Sequence, residues 1–403
     1  MTKQSNVVVF IICLFALIMM QFVGIFHISH IILFAILAPF VLFEMPKRLK
    51  FKKILIIMAV GIFLSMISCL HFRGQSMYET FKASAYIFLI FFYFFLTNRN
   101  YSVKNVENAI VVLGFIASIL YILQYVLMQN GIIILQTADN IKEGDRFRVI
   151  GSGIISLSFF LSLNKIMTIK ANPIYVACIV LGLVSIVLMG FRTMAVAIVI
   201  FSLFLSYRIW GLTKRMWIFI ILFFVFAILL SKIPAVQDKL IYMLEKQQSG
   251  QADFSSDRYI RWIQLYYFLN FHFKGYVEMF FGSGMPYPTS RYGLYNADLF
   301  DSGIYYMDWG LLGLSWMIGI IPVVCMCCYS IIAYRMKVEK YYKYIGIWFI
   351  YLLTISITTM EFFREGNFVV QALALYLVVK VNKKYQLKQE SRTEYENRNT
   401  DIL

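Results

Sequence analysis

The sequence predicts an all-α polytopic membrane protein with about 12 transmembrane helices and one long extracytoplasmic loop between helices nine and ten. Composition is the first observation: 61% of the residues are hydrophobic, 14% are charged, and the mean hydropathy is +0.73. A soluble domain carries about 25% charged residues. Polarity along the chain is the second observation, because apolar stretches alternate with short connections until one polar segment at residues 232–300.

Each spanning helix needs about 20 apolar residues, since about 30 Å of hydrocarbon is crossed at 1.5 Å per residue. Stretches of roughly this kind are Val7–Phe26, Ile28–Phe43, Ile54–Leu70, Ala83–Thr97, Ala109–Met128, Val149–Ile169, Ile174–Met189, Thr193–Tyr207, Met216–Ser231, Gly310–Ala333, Tyr344–Met360 and Phe368–Val379. The seventh and eighth are predicted as two helices. One continuous helix would place Arg192 at the bilayer centre, at a cost of about 2.5–3.5 kcal/mol.

Charge predicts the orientation of these helices. With both termini cytoplasmic, the inner connections hold most of the Lys and Arg and few acids, so the net charge of +16 falls on the cytoplasmic side. The long loop is then extracytoplasmic. Residues 1–379 form the integral membrane domain, and residues 380–403 form a charged, disordered cytoplasmic tail. The basic balance therefore reflects membrane orientation and predicts no nucleic-acid partner.

No metal or cofactor is predicted from the residue pattern. All six cysteines lie within predicted spans, which argues against a disulfide framework. His27 and His30 have no acid or cysteine nearby in the sequence, so zinc is not expected there. Nucleotide-binding loops, dinucleotide fingerprints and zincin motifs are absent from the sequence.

Three outer segments carry arginines against the inside bias. They contain Arg146 and Arg148 before the sixth helix, Arg192 in the turn between helices seven and eight, and Arg258, Arg261 and Arg291 in the long loop, where Asp298 and Asp301 also lie. The guanidinium fork binds phosphate in a bidentate manner and stays protonated. A solvated arginine, or one that contacts lipid headgroups, is the alternative that remains open for each. Residues 257–273 predict an amphipathic helix at headgroup level.

Four short motifs on the predicted outer side resemble the bacterial O-antigen and capsule repeat-unit polymerases (Wzy type), which share a superfamily with the O-antigen ligases. They are Arg146-Phe-Arg148 followed by Gly151-Ser-Gly153, Gly190-Phe-Arg192-Thr-Met-Ala, Ser256-Asp-Arg258-Tyr-Ile-Arg-Trp262, and Phe281-Gly282-Ser-Gly284 with Asp301-Ser-Gly-Ile-Tyr305 and Gly310-Leu-Leu-Gly313-Leu. The second motif departs from the family pattern, with Phe191 where Ser is common. Ligases carry a His just ahead of the last motif, whereas this chain has Asp298 and Asp301, which favours a polymerase.

The resemblance implies a metal-independent glycosyltransferase. It would join undecaprenyl-pyrophosphate-linked oligosaccharide repeat units into O-antigen, as in lipopolysaccharide biosynthesis, or into capsule. The reaction would occur on the outer side of the bacterial cytoplasmic (inner) membrane. A chain-length regulator and a flippase are the implied protein partners, and the bilayer supplies the lipid-linked substrate.

The implied site residues divide into three groups. Arg192 and Arg258 bind the pyrophosphate, with Arg148 and Arg146 assisting, and Asp301 is the catalytic base. Asp298, Arg291 and Tyr305 are candidates for acceptor or sugar binding. Arg364, between Glu361 and Glu365, either contributes to the site or forms a local ion pair.

Rival functions remain open from the sequence. An O-antigen ligase would share the architecture, and a lipid-linked oligosaccharide flippase or other transporter would also have many helices. Transporters usually carry charges near the bilayer midplane, whereas here the charges lie at the predicted outer surface. Glycosyltransferases that use polyprenyl phosphates typically carry acidic residues in the first outer loop, and His27-Ile-Ser-His30 has none.

Overall fold

The structure, a computed structural model, describes residues 3–22, 28–42, 49–128, 130–135, 150–169, 172–234, 236–238, 241 and 257–400. The side chains at 226, 227, 230, 257–259 and 392–400 lie outside this description. The described residues fold into helices and contain no strand, which confirms the predicted all-α class.

The described residues from 3 to 230 form ten α-helices. They are α1 (Lys3–Met20), α2 (His30–Leu42), α3 (Lys52–Arg73), α4 (Met77–Ser84), α5 (Phe92–Arg99), α6 (Val103–Met128), α7 (Gly153–Thr168), α8 (Pro173–Leu188), α9 (Arg192–Trp210) and α10 (Lys214–Leu230). A 3-10 stretch, Ala85–Phe91, joins α4 to α5 without a break in the helical rod.

The described residues from 257 to 400 form seven α-helices and several short turns of helix. They are α11 (Asp257–Tyr267), α12 (Tyr276–Phe281), α13 (Arg291–Asp301), α14 (Gly310–Ile318), α15 (Ile320–Arg335), α16 (Lys343–Ile355) and α17 (Asn367–Thr400). A π-helical turn, Phe268–His272, follows α11, and 3-10 turns lie at Tyr306–Trp309 and Lys340–Tyr342.

Four helical stretches are long and apolar enough to cross a membrane: Lys52–Arg73, Met77–Arg99, Val103–Met128 and Arg192–Trp210. Shorter apolar helices accompany them, including α2, α7, α8 and α15. Large apolar side chains on the outward faces are exposed, among them Val60, Val126 and Ile200. Such a surface is what a lipid-facing helix presents.

Three segments form the centre of the bundle. Residues 85–96 and 367–378 are buried on every side, as is almost all of α7. A helix that is apolar all round is buried in the core of a large helical protein.

Helices seven and eight of the predicted set are separate, as the sequence indicated. Helix α8 ends at Leu188, and Gly190 adopts a φ of 74°, with its amide donating to the Val187 carbonyl at 2.9 Å. Glycine reaches this left-handed conformation at little cost, so the chain can reverse within a few residues. Arg192 is the first residue of α9.

The predicted tenth span, Gly310–Ala333, is wrong as a continuous helix. Gly319 has φ 87° and ψ 166°, and it separates α14 from α15. A break of this kind leaves backbone groups without their helical partners, which is costly in an apolar environment. The chain therefore needs another segment to satisfy the carbonyls at the end of α14.

The end of the predicted outer loop supplies that segment. The Ser283 amide donates to the Trp316 carbonyl at 2.9 Å, and the Gly284 amide donates to the Met317 carbonyl at 2.7 Å. A Cβ on Gly282 would overlap the Met317 carbonyl, so this close approach requires glycine. Residues 282–285 are buried, and the last part of the loop consequently belongs to the bundle.

The tail from residue 380 is helical through Thr400, so the expectation of disorder is wrong. No Gly or Pro interrupts this part of the sequence, and it is rich in good helix formers. Two contacts fix the helix to the bundle: Asn382 Nδ2 donates to the Lys337 carbonyl at 2.8 Å, and Lys388 Nζ lies 2.9 Å from Glu339.

Candidate functional site

Residues 356–366, the turn between α16 and α17, gather several of the sequence motifs at one end of the bundle. The Leu311 amide donates to the Ser356 carbonyl at 2.9 Å. A Cβ on Gly310 would overlap the same carbonyl oxygen, and Gly310 has a φ of 50°. Glycine is thus required where the Gly310-Leu-Leu-Gly313 motif meets the 356–366 turn.

The motif Gly151-Ser-Gly153 contacts the other end of this turn. The Gly151 amide donates to the Glu365 carbonyl and the Gly153 amide donates to Asn367 Oδ1, each at 2.8 Å. Ser152 Oγ donates to Glu361 Oε2, also at 2.8 Å. Arg146 and Arg148, which precede this motif, lie outside the described residues. Their predicted contact with pyrophosphate therefore stays a prediction.

A buried ion pair lies inside the turn. Arg364 Nη2 is 2.8 Å from Glu361 Oε1, and both side chains are 1% exposed. The alignment is poor for a hydrogen bond, so Arg364 Nε and Nη2 have no hydrogen-bond acceptor among the described residues. The guanidinium also lies 5.7 Å from the Phe191 ring centroid. Arg364 thus forms the local ion pair that the sequence offered as one alternative.

Arg192 lies next to this buried pair. Its helix, α9, begins where Phe191 contacts Arg364, and Thr193 Oγ1 lies 3.3 Å from Thr358 Oγ1. The Arg192 side chain is partly exposed at the rim of the turn. At a helix N-terminus it shares its position with backbone amides that favour negative charge. An anion at this rim would meet both.

The helix that carries Arg258 packs beside the same region. The Arg258 side chain lies outside the description, but α11 is anchored through Gln264, which is fully buried. Gln264 Nε2 donates to the Gly303 carbonyl at 2.9 Å and to Asp308 Oδ2 at 3.2 Å. Phe268, in the turn after α11, stacks on Trp316 of α14 with ring centroids 4.3 Å apart.

The acidic candidates lie on α13. Asp298 and Asp301 are exposed, one turn apart near the C-terminus of this helix, and Arg291 is exposed at its N-terminus. Tyr305 is half-buried, with its ring 5.3 Å from that of Phe300. The described residues contain no group of three or more His, Cys, Asp or Glu that could hold a metal ion.

Asp308 is a carboxylate that the sequence analysis did not single out. It is half-buried in the 3-10 turn directly before Gly310, and Gln264 fixes one of its oxygens. Asp301 is exposed, and it lies farther along the chain from Gly310, where the last motif contacts the 356–366 turn. The sequence signal was available, because Asp308 is the acid nearest to the Gly310-Leu-Leu-Gly313 motif.

A second polar cluster was missed altogether. Arg73, at the end of α3, pairs with buried Glu278 of α12 and donates to the His272 carbonyl. His272 shares a hydrogen bond of 2.9 Å with Ser283 Oγ, and the Arg73 guanidinium lies 5.3 Å from the Tyr292 ring centroid. Burial and the nearby Arg73 lower the pKa of His272 to about 3, so its imidazole is neutral at physiological pH.

This cluster holds the end of the loop in place. Gln75 extends it: its Nε2 donates to the Met285 carbonyl at 2.8 Å, and its Oε1 accepts from the Tyr287 amide at 2.9 Å. Arg73 is itself an arginine on the predicted outer side. The same charge criterion that selected Arg192 could therefore have selected it.

Parts of the first, second and fourth motifs contact the 356–366 turn, and α11, which carries the third motif, packs against residues 303–316 beside it. The arrangement offers a cationic rim at Arg192, backbone amides at the start of α9, and carboxylates on the neighbouring 301–308 segment. Such a surface can hold an anionic leaving group beside a proton acceptor. No protein-family model and no curated protein matches the chain.

Proposed function

We propose that the chain is a membrane glycosyltransferase that polymerises lipid-linked oligosaccharide repeat units. The observation that carries this proposal is the meeting of sequence-distant motifs around the 356–366 turn: Gly151–Gly153, the start of α9 and Gly310. These segments are far apart in sequence, yet each contacts the same turn at one end of the bundle, so that together they form one surface. The arginine at this surface is suited to a pyrophosphate.

The proposed reaction transfers a glycan from undecaprenyl pyrophosphate to a sugar hydroxyl on a second lipid-linked repeat unit. The acceptor oxygen bonds to the anomeric carbon, the bond from that carbon to the pyrophosphate oxygen breaks, and the hydroxyl proton passes to a carboxylate. The charge on the departing pyrophosphate is stabilised by Arg192 and Arg258, with Arg146 and Arg148 assisting. Asp301 takes the proton, and Asp298, Arg291 and Tyr305 contact the acceptor.

The proposed topology has twelve spans, both termini in the cytoplasm and the 232–300 loop outside the inner membrane. It places the 356–366 turn, Arg192 and Arg258 on one side of the bilayer, at the level of lipid phosphates. In this topology the long loop contributes α11 to the site from the extracytoplasmic side. The end of the loop is anchored to the bundle by the ion pair between Arg73 and Glu278.

The positions of buried charge favour an enzyme over a transporter. Lys165 Nζ lies 2.7 Å from Glu107 Oε1, but Glu107 is in the first turns of α6 and Lys165 is near the end of α7. Arg73 and Glu278 likewise meet at the end of α3. Transporters place substrate and ion sites near the bilayer midplane, where helices are interrupted. These pairs lie at helix ends instead.

The proposal is tested with the purified full-length chain and synthetic undecaprenyl-pyrophosphate-linked repeat units. We expect elongation into a ladder of longer glycans, with release of undecaprenyl pyrophosphate, in detergent and in excess chelator. Loss of turnover in chelator and recovery with magnesium would contradict the metal-independent mechanism. Transfer only to a lipid A core would identify a ligase, and the absence of any transfer would contradict the enzyme proposal.

A further inference from the structure

A cavity of about 390 Å³ lies at the end of the bundle opposite the 356–366 turn. Its wall includes the C-terminal ends of α9 and α15, the start of α16, and Val378 and Tyr385 of α17. The helical tail thus forms part of the wall, which a disordered tail could not do. The cavity is a product of the tertiary fold.

Four cations line this cavity: Arg208, Arg335, Lys337 and Lys343. No Asp or Glu is among the lining residues that the structure describes. Glu339, which is close in sequence, is ion-paired with Lys388 at 2.9 Å. An adjoining cavity of about 670 Å³ shares Arg335, Lys337 and Tyr385 and includes Glu390.

Two of these cations are held in place by other groups. Lys343 Nζ donates to the Arg208 backbone carbonyl, and the Arg208 guanidinium lies 5.5 Å from the Tyr334 ring centroid. Partial burial and the nearby Arg208 lower the pKa of Lys343. Positive charges are therefore crowded in one partly enclosed space, and a bound anion would relieve their repulsion.

The remaining wall is largely apolar, with Met336, Val338, Ile347 and Val378 among its residues. A free inorganic anion would leave this apolar surface uncovered, whereas the glycerol and first methylenes of a phospholipid would pack against it. Basic pockets at the ends of membrane helices bind anionic lipid headgroups in this way. The positive-inside rule requires only that basic residues lie in the cytoplasmic connections near the membrane. It does not require four of them to line one cavity.

We propose that this cavity binds the phosphodiester headgroup of one anionic phospholipid. Arg208 and Lys343 contact the phosphate, Arg335 and Lys337 stand at its rim, and the apolar wall receives the start of an acyl chain. The inference does not depend on the glycosyltransferase proposal, because it concerns the opposite end of the bundle and requires only that the apolar helices lie in a bilayer.

Native mass spectrometry of the full-length chain in detergent tests the site, with dioleoylphosphatidylglycerol and dioleoylphosphatidylcholine offered at equal concentration. We expect the chain to retain one phosphatidylglycerol with about tenfold preference. The double variant Arg208→Gln/Lys343→Gln should lose that preference. The matched control Lys214→Gln/Arg215→Gln removes the same charge from exposed residues at the next turn and should keep it.

Several results would overturn the proposal. Equal loss in both double variants would indicate diffuse attraction to charge rather than a site, and full preference in the Arg208→Gln/Lys343→Gln variant would remove these residues from it. Displacement of the lipid by millimolar inorganic phosphate would identify a phosphate-ion site. If the first double variant does not fold, Arg335→Gln at an exposed position replaces it. Partial loss of preference is expected there, and unchanged preference would also contradict the proposal.

Discussion

Arg364 and Glu361 form an ion pair of 2.8 Å in which both side chains are 1% exposed. Ser152 donates to the second oxygen of Glu361, and the Phe191 ring lies against the guanidinium. The pair therefore joins the 356–366 turn to two of the sequence motifs. Each charge is stabilised mainly by the other, because Glu361 Oε1 and the Nε and Nη2 atoms of Arg364 have no hydrogen-bond partner among the described residues.

Removing one member of this pair should be strongly destabilising. Arg364→Met leaves the Glu361 carboxylate buried without its counter-charge, at an expected cost of about 3–5 kcal/mol. The double variant Glu361→Gln/Arg364→Met should recover part of this loss. Thermal unfolding in detergent measures the effect, and Lys388→Met, which breaks an exposed pair, is the control at about 1 kcal/mol or less. Similar melting temperatures for Arg364→Met and Lys388→Met would contradict the burial argument.

Arg192→Ala and Arg258→Ala should leave the protein inserted and folded but reduce the surface glycan to single repeat units. The physical reason is loss of the cations proposed to stabilise the leaving pyrophosphate. Lysine at either position should rescue only partly, because a point charge does not reproduce the bidentate fork. Gel electrophoresis of the surface glycan reports chain length, and Arg215→Ala at the opposite end of the bundle is the control. Long chains in both Ala variants would leave these arginines as headgroup contacts.

Asp301→Asn should lower the transfer rate by about 100-fold or more while changing the KM for the donor little. An amide cannot take the hydroxyl proton, but it preserves the shape of the side chain. Steady-state kinetics with the synthetic donor separates the two effects. Asp298→Asn should instead raise the KM for the acceptor. If Asp308→Asn gives the large rate loss and Asp301→Asn does not, the proton acceptor is Asp308.

Single cysteines test the proposed topology in a background without the six native ones. Thr289→Cys should react with an impermeant thiol reagent in intact cells, because Thr289 is exposed at the end of the long loop. Its neighbour Ser290 is unsuitable, since it is buried and caps α13. Ser391→Cys, exposed on α17, should react only after the membrane is permeabilised. The reverse pattern would invert the orientation and move the site to the cytoplasmic side.

The neutral His272 should make stability fall as pH falls. Its pKa is about 3 in the folded protein and about 6.5 in an unfolded chain. Between these values the unfolded state binds one more proton, so folding loses about 1.4 kcal/mol per pH unit below pH 6.5 and nothing above it. Melting temperatures from pH 7 to pH 4.5 should therefore fall less steeply for His272→Gln than for the wild type. His71→Gln, at an exposed histidine, should follow the wild type, and equal slopes for all three would refute the assignment.

The sequence alone determined the helical class and the separation of α8 from α9, because both follow from local hydropathy and from the cost of burying Arg192. Local patterns also placed arginines near helix ends. They could not reveal the break at Gly319, because residues 310–333 are apolar throughout and the break is compensated by Ser283 and Gly284 from a distant segment. A sequence window reads such a stretch as one helix.

Only the tertiary structure decided which residues share the candidate site. Gly151–Gly153 meets Glu361–Asn367, and Arg73 meets Glu278, through contacts between residues some 200 positions apart in the chain. Such pairs leave no periodic signal, because hydrogen bonds and ion pairs depend on position in space rather than on spacing along a helix. The helical tail is a further example. It can line the cavity that contains Arg208 and Lys343 because it contacts the Lys337 carbonyl and Glu339. Hydropathy along the chain determined where helices form. Long-range polar contacts determined which helices meet at the candidate site and at the cavity on the opposite end of the bundle.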